Sequence, residues 1–140
     1  MKILLPTDGS QHSAEAAKYV VAHLQELRDP AEIELLSVQP QLPGIAFGAA
    51  DKDSVDGFYR EHCDEALKPA RKILDEKGVR YKTVCLVGDP GPTIARHAEK
   101  ENFSLIVMGS RGLGSFGNMV LGSVCAKVVA GCKVPVLVIR

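Results

Sequence analysis

Residues 103–130 read "FSLIVMGSRGLGSFGNMVLGSVCAKVVA", and how they are read decides the fold. A short apolar, β-branched run ends at Gly109. Five glycines then fall within fourteen residues, Gly109 to Gly122, and a segment with helical spacing follows. A strand that feeds a helix through a glycine-rich turn belongs to a parallel α/β unit. The two ways of using those glycines on phosphate are separable by spacing. Gly112, Gly114 and Gly117 spell G-x-G-x-x-G. A dinucleotide turn, however, needs an acidic residue ~20 positions on and a second half-domain. Residue 137 is Leu and the chain given ends at Arg140. Gly109 and Gly114 have the P-loop spacing, but Ser115 and Phe116 stand where Lys and Ser/Thr are required, so that reading fails too.

The same pattern recurs outward along the chain. Strands are expected at "KILLPTD" (2–8), "AEIELLSVQ" (31–39), "VRYKTVCLV" (79–87), "FSLIVMG" (103–109) and "VPVLVIR" (134–140). Between them lie helical segments. In 10–29 Ala14, Ala17, Val21 and Leu24 form a stripe, with Ser10 or Ser13 as cap. In 52–77 Val55, Phe58, Ala66, Ala70, Ile73 and Leu74 supply the apolar face; Pro69 should kink or split this helix, and Gly78 should stop it. A third helix runs within 88–102 with Pro92 near its first turn, and a fourth spans about 122–130. Residues 40–50 read as loop. The order βαβαβαβαβ with apolar, barely alternating strands predicts one domain over 1–140: a three-layer α/β sandwich around a five-stranded, parallel, doubly wound sheet. In such sheets ligands sit at the carboxyl ends of the strands, which here means near Asp8, Val38, Gly88 and Gly109.

Bulk properties narrow the partners. The chain has 140 residues, with 17 Lys and Arg against 17 Asp and Glu. Zero net charge gives no long-range attraction to nucleic acid or an anionic membrane. The apolar run near Met1 is too short for a secretory signal, and no run approaches a membrane span, so a cytoplasmic protein is expected. Cys63, Cys85, Cys125 and Cys132 match no zinc spacing and are expected as reduced thiols. His12 is expected to face solvent, and His23, His62 and His97 show no metal-ligand spacing.

A third spacing of the glycines, Gly109-x2-Gly112-x9-Gly122-Ser123, suits an anion cradle. Gly109 would let a sugar or phosphate approach the backbone, and Gly112 would take positive φ. Gly122 and Ser123 would open the last helix, with Ser123 both capping it and donating to phosphate. Asp8 then has two readings. A carboxylate facing Gly109 suits a ribose diol, and the same residue in "PTDGS" suits a turn or cap with Gly9 and Ser10.

Taken together, "KILLPTDGSQHS", "VGDPGPTIARHAEKENFSLIVMGSRGLG" and "LGSVCAKVVAGCKVPVLVIR" resemble the universal stress protein family over the whole chain. The resemblance implies an adenine nucleotide α-hydrolase-like fold that binds adenine nucleotide, usually ATP (ADP or AMP being the other states), often with Mg or Mn. It implies that Pro6, Thr7 and Asp8 flank the adenosine, with Asp8 on the ribose, and that the backbone of Val38 meets the adenine edge. Met108 and Gly109 would line the sugar; Arg111, Gly112, Gly122, Ser123 and Val124 would surround the phosphates. Cys125 stands where nucleotide-binding members commonly carry a hydroxyl. The resemblance further implies a homodimer through the C-terminal strand (Val134, Val136, Val138). With no base positioned for hydrolysis and "PTDGS" where an adenylating S-G-G-x-D-S loop would stand, the nucleotide is expected to act as a regulatory ligand turned over slowly or not at all. A member working through protein contacts alone and a weak ATPase using Asp8 or His12 are the competing readings.

Overall fold

The computed structural model describes residues 1–27, 29–43, 51–113 and 120–140. Residues 44–50 of the loop expected at 40–50, and the glycines at 114 and 117, lie outside them. The strands are β1 (Lys2–Pro6), β2 (Glu32–Gln39), β3 (Tyr81–Val87), β4 (Leu105–Gly109) and β5 (Val136–Ile139). The helices are α1 (Gln11–His23), α2 (Lys52–Glu76), α3 (Pro90–Lys100) and α4 (Ser123–Gly131), with a 3₁₀ turn at Leu24–Glu26. All four strand pairings are parallel, in the order β3-β2-β1-β4-β5. This is the expected doubly wound sheet, with β3 and β5 at its edges.

The alternation of each strand sorts its residues between two cores. Ile3, Leu5, Ile33, Leu35 and Val107 pack with α1 and α2 through Ala16, Ala17, Val20, Leu67, Ala70 and Leu74. Leu4, Leu36, Ile106 and Met108 pack with α3 and α4 through Ile94, Ala98, Cys125 and Val128. Glu34, on the second face of a central strand, is a costly guest there unless paired. His97 of α3 answers it at 2.6 Å, with the two side chains 14% and 13% exposed.

Three expectations about the helices need correction. The buried stripe of α1 is Ser13, Ala16, Ala17 and Val20; Ala14, Val21 and Leu24 are only half-buried. Pro69 does not split α2, which runs unbroken for 25 residues. Phe58 is 39% exposed, and no α2 residue before Cys63 is buried. The early turns stand clear of the core that Cys63, Leu67 and Leu74 enter.

The ends of the helices follow local chemistry. Ser10 caps α1 by accepting the Ser13 amide. Gly78, at φ +65°, ends α2: its amide donates to the Asp75 carbonyl and that of Val79 to the Leu74 carbonyl (3.0 and 2.9 Å), which closes the last turn. Proline opens α3 at its first position, where its missing N–H costs nothing. No described helix is long and apolar enough to cross a membrane.

The cysteines depart from expectation. Cys63 of α2 and Cys85 of β3 form a disulfide with Cα atoms 6.1 Å apart, while Cys125 and Cys132 are free. Their separation of 22 residues carries no spacing signal.

Candidate functional site

β1 lies between β2 and β4, so the chain leaves it in one direction and returns on the other side. That reversal opens a crevice at the carboxyl ends of the central strands. A cavity of about 430 Å³ occupies it, a size usual for small-molecule sites. Pro6, Thr7, Asp8, Val38, Met108, Gly109, Arg111, Gly112, Gly122, Ser123 and Val124 all line this cavity. Sequence reasoning thus brought together the residues that the fold brings together. It missed the apolar walls: Leu36, Pro40, Pro90 and Ile94 also line the space. The "DPGP" turn after β3 was a signal for two of these, because it opens the helix that forms that wall.

One end of the cavity is a slot with exposed peptide groups. The Thr7 amide donates to the Leu36 carbonyl at 2.8 Å, so the peptide groups of Leu36 face β1. Those of Val38, two residues on, face the same way. The β1–β2 register ends at Pro6 and Leu36, so β1 offers Val38 no partner. The intervening residues face the other strand, as the Gly88 amide bonding Gln39 shows (2.9 Å). Val38 therefore presents a donor and an acceptor to an apolar space.

The other end is electropositive. α4 begins at Ser123, and its first internal bond is Ala126 N–H to Gly122 C=O, 3.0 Å. The amides of Ser123, Val124 and Cys125 have no acceptor within the helix and none among the described residues. They carry the positive end of the helix dipole. Arg111, half-buried, forms no ion pair among the described residues. Burial pushes the Cys125 thiol pKa up, so at the cavity wall it stays neutral.

Several assigned roles change. Gly122, not Ser123, is the cap residue, and no side chain caps α4. The Gly122 amide is already bonded, to Ser110 at 2.6 Å, and is not open to a ligand. Gly112 is not at positive φ; a Cβ there would lie 2.5 Å from Asp8 Oδ2. At Gly109 a Cβ would lie 2.6 Å from the backbone of His12, so close packing of α1 demands that glycine, not approach of a ligand. His12 is half-buried and does not line the cavity.

Asp8 adopts the turn geometry. Its Oδ1 accepts the Ser10 amide at 2.9 Å. Its Oδ2 accepts the Leu113 amide at 3.1 Å and so ties the glycine loop to the end of β1. Each oxygen keeps a second lone pair, and the residue still lines the cavity. The Thr7 hydroxyl is used internally: it donates to the Ala66 carbonyl (3.2 Å) and lies 3.0 Å from the Ser13 hydroxyl.

Comparison with known proteins places this arrangement. The model of the universal stress protein family matches residues 1–140. Universal stress protein MJ0531 of Methanocaldococcus jannaschii is 36% identical over 99% of this chain and 81% of its own length. Universal stress protein YxiE of Bacillus subtilis is 36% identical over 99% and 98%. The solved structure of MJ0577 superposes with a TM-score of 0.82 at 30% identity, covering 99% of this chain and 94% of that one. Two further structures share the fold at lower identity. One is a universal stress protein in complex with cAMP (TM-score 0.72, 21% identity, 100% and 97% coverage). The other is the Archaeoglobus fulgidus universal stress protein in complex with dAMP (0.69, 19%, 100% and 98%). The chain belongs to the universal stress protein family.

Proposed function

We propose that this chain is a nucleotide-responsive regulatory protein whose cavity holds an adenine nucleotide, ATP above all, with ADP or AMP as alternative states. One observation carries the reading: a single cavity joins an apolar slot with the free peptide edge of Val38 to an electropositive end made of Arg111 and the unpaired α4 amides. A purine needs flat apolar walls and a donor–acceptor edge. A phosphate needs N–H groups and a cation. Asp8 lines the same cavity, and its remaining lone pairs suit sugar hydroxyls. Relatives of this fold hold cAMP and dAMP, whose shared part is adenine, a sugar and a phosphate.

The residues fit the group. Adenine would lie between Val38, Ile94 and Met108, and the phosphates over Ser123, Val124 and Arg111. The described residues form no cluster of three or more His, Cys, Asp and Glu. A divalent cation, Mg or Mn, would therefore be held through the phosphates. β5, an edge strand, is the surface for a homodimer, through Val136 and Val138 of the strand and Val134 just before it.

Native mass spectrometry of the protein as isolated, followed by titration with ATP, ADP and AMP, tests the reading. An added mass of one nucleotide per chain, lost in Gly122→Val, is the expected result. A Cβ at Gly122 would press on Arg111 Cα at 3.2 Å and on the Ser110 carbonyl at 3.3 Å, displacing the loop that carries Arg111. No added mass at millimolar nucleotide, or equal binding by the variant, would overturn it.

A further inference from the structure

Outside the cavity, one pair of reactive side chains is set by the fold. Cys63 is the first buried residue of α2, at 0% exposure. Its disulfide partner Cys85 is exposed on β3, an edge strand with β2 as its one neighbour. We propose that Cys63 and Cys85 form a thiol–disulfide exchange site whose state sets how firmly α2 is held at the carboxyl edge of the sheet.

The asymmetry of the pair fixes the order of events. A thiolate from a small-molecule thiol such as glutathione attacks the Sγ of Cys85, the exposed residue of the pair. A new S–S bond forms there, the Cys63–Cys85 bond breaks, and Cys63 leaves as a thiolate that takes up a proton. A second thiol resolves the mixed disulfide, releasing Cys85. Two electrons and two protons pass from two thiols to the protein, and the reductant departs as its own disulfide. Oxidised glutathione runs the sequence in reverse.

The location gives the bond something to control. One turn beyond Cys63, the Ala66 carbonyl accepts the Thr7 hydroxyl, and a Cβ on Gly9 would sit 3.3 Å from Ala66 Cα. The turn after β1 thus rests on α2 just where α2 meets the core. On the other side, Cys85 pairs in register with Ser37, the residue before Val38. No residue of α2 before Cys63 is buried, so the bond fastens the helix at the point where packing begins.

The test uses the intact chain equilibrated in glutathione buffers of varied ratio, then alkylated and mapped by mass spectrometry, with backbone amide exchange measured in each state. Linked Cys63 and Cys85 peptides should appear in oxidising buffer and separate in reducing buffer while the circular dichroism stays native. Amides of residues 63–70 should exchange about fivefold faster or more once the bond is open, the lower end of coupling between sites. Cys85→Ser should match the reduced protein in both buffers. Free thiols throughout, reduction only on unfolding, or equal exchange in the two states would each overturn the proposal.

Discussion

Two glycines of the signature do different jobs. Gly109 lets α1 cross close to β4, since a Cβ would meet His12 C and O at 2.6 Å. Gly109→Ala should destabilise the fold by about 1–3 kcal/mol through overpacking against rigid backbone. Urea denaturation checks this; an unchanged midpoint would show that α1 yields. Gly112 faces a side chain instead, Asp8 Oδ2 at 2.5 Å, and a carboxylate can rotate away. Gly112→Ala should therefore leave the melting temperature within a few degrees yet weaken nucleotide binding about tenfold, a loss of ~1.4 kcal/mol. Here the spacing announced that glycine was required without saying what comes close. The partner of Gly109 is 97 positions away and is brought near only by the parallel crossover.

At the scale of elements, strands were legible because they are short, mostly apolar runs bounded by turn residues, and helix ends because caps are local. Ser10, Gly78 and the proline that opens α3 act within a few residues of themselves. The stripe of α1 was misplaced by about one residue because short alanine-rich faces weigh neighbouring positions almost equally, and the sheet decides between them. Gly78→Ala should cost about 1 kcal/mol, because φ +65° strains any residue with a Cβ. Thermal melting with an unchanged midpoint would contradict it. The start of α2 is pH-sensitive. Hydrogen bonds from Ser54, its backbone amide first, hold the Asp51 carboxyl below the usual aspartate range. Its folded value lies under the unfolded one, so the cap is in place above the unfolded range, ~3.9, and is lost as pH falls through the lowered folded value. The Ser54 amide in NMR should follow a titration below ~3.9; one at or above that would contradict the cap.

For the molecule as a whole, strand order created the site. The crevice exists because β4 lies on the opposite side of β1 from β2, and alternation of strands and helices with right-handed crossovers made that expected. What could not be read was any side-chain contact joining distant segments: the disulfide, the Glu34–His97 pair, and the Asp8–Leu113 tie. By the chain-entropy account, closing a loop of 22 residues is worth about 3 kcal/mol, so a thiol reductant should lower the melting temperature of the wild type and leave Cys85→Ser unmoved. The free edge of β5 predicts association: sedimentation should show a dimer that Val138→Pro, which removes an outward-facing amide, converts to monomer.

The central claim is that peptide groups and one guanidinium, gathered where the sheet meets its final helix, hold an adenine nucleotide. Calorimetric titration of the reduced, nucleotide-free protein with ATP and Mg tests it most directly. The account predicts saturable one-to-one binding in the micromolar range, roughly −8 kcal/mol, weakened at least tenfold in Arg111→Ala. An absence of binding heat at several temperatures, or an affinity indifferent to Arg111→Ala and Gly122→Val alike, would contradict it.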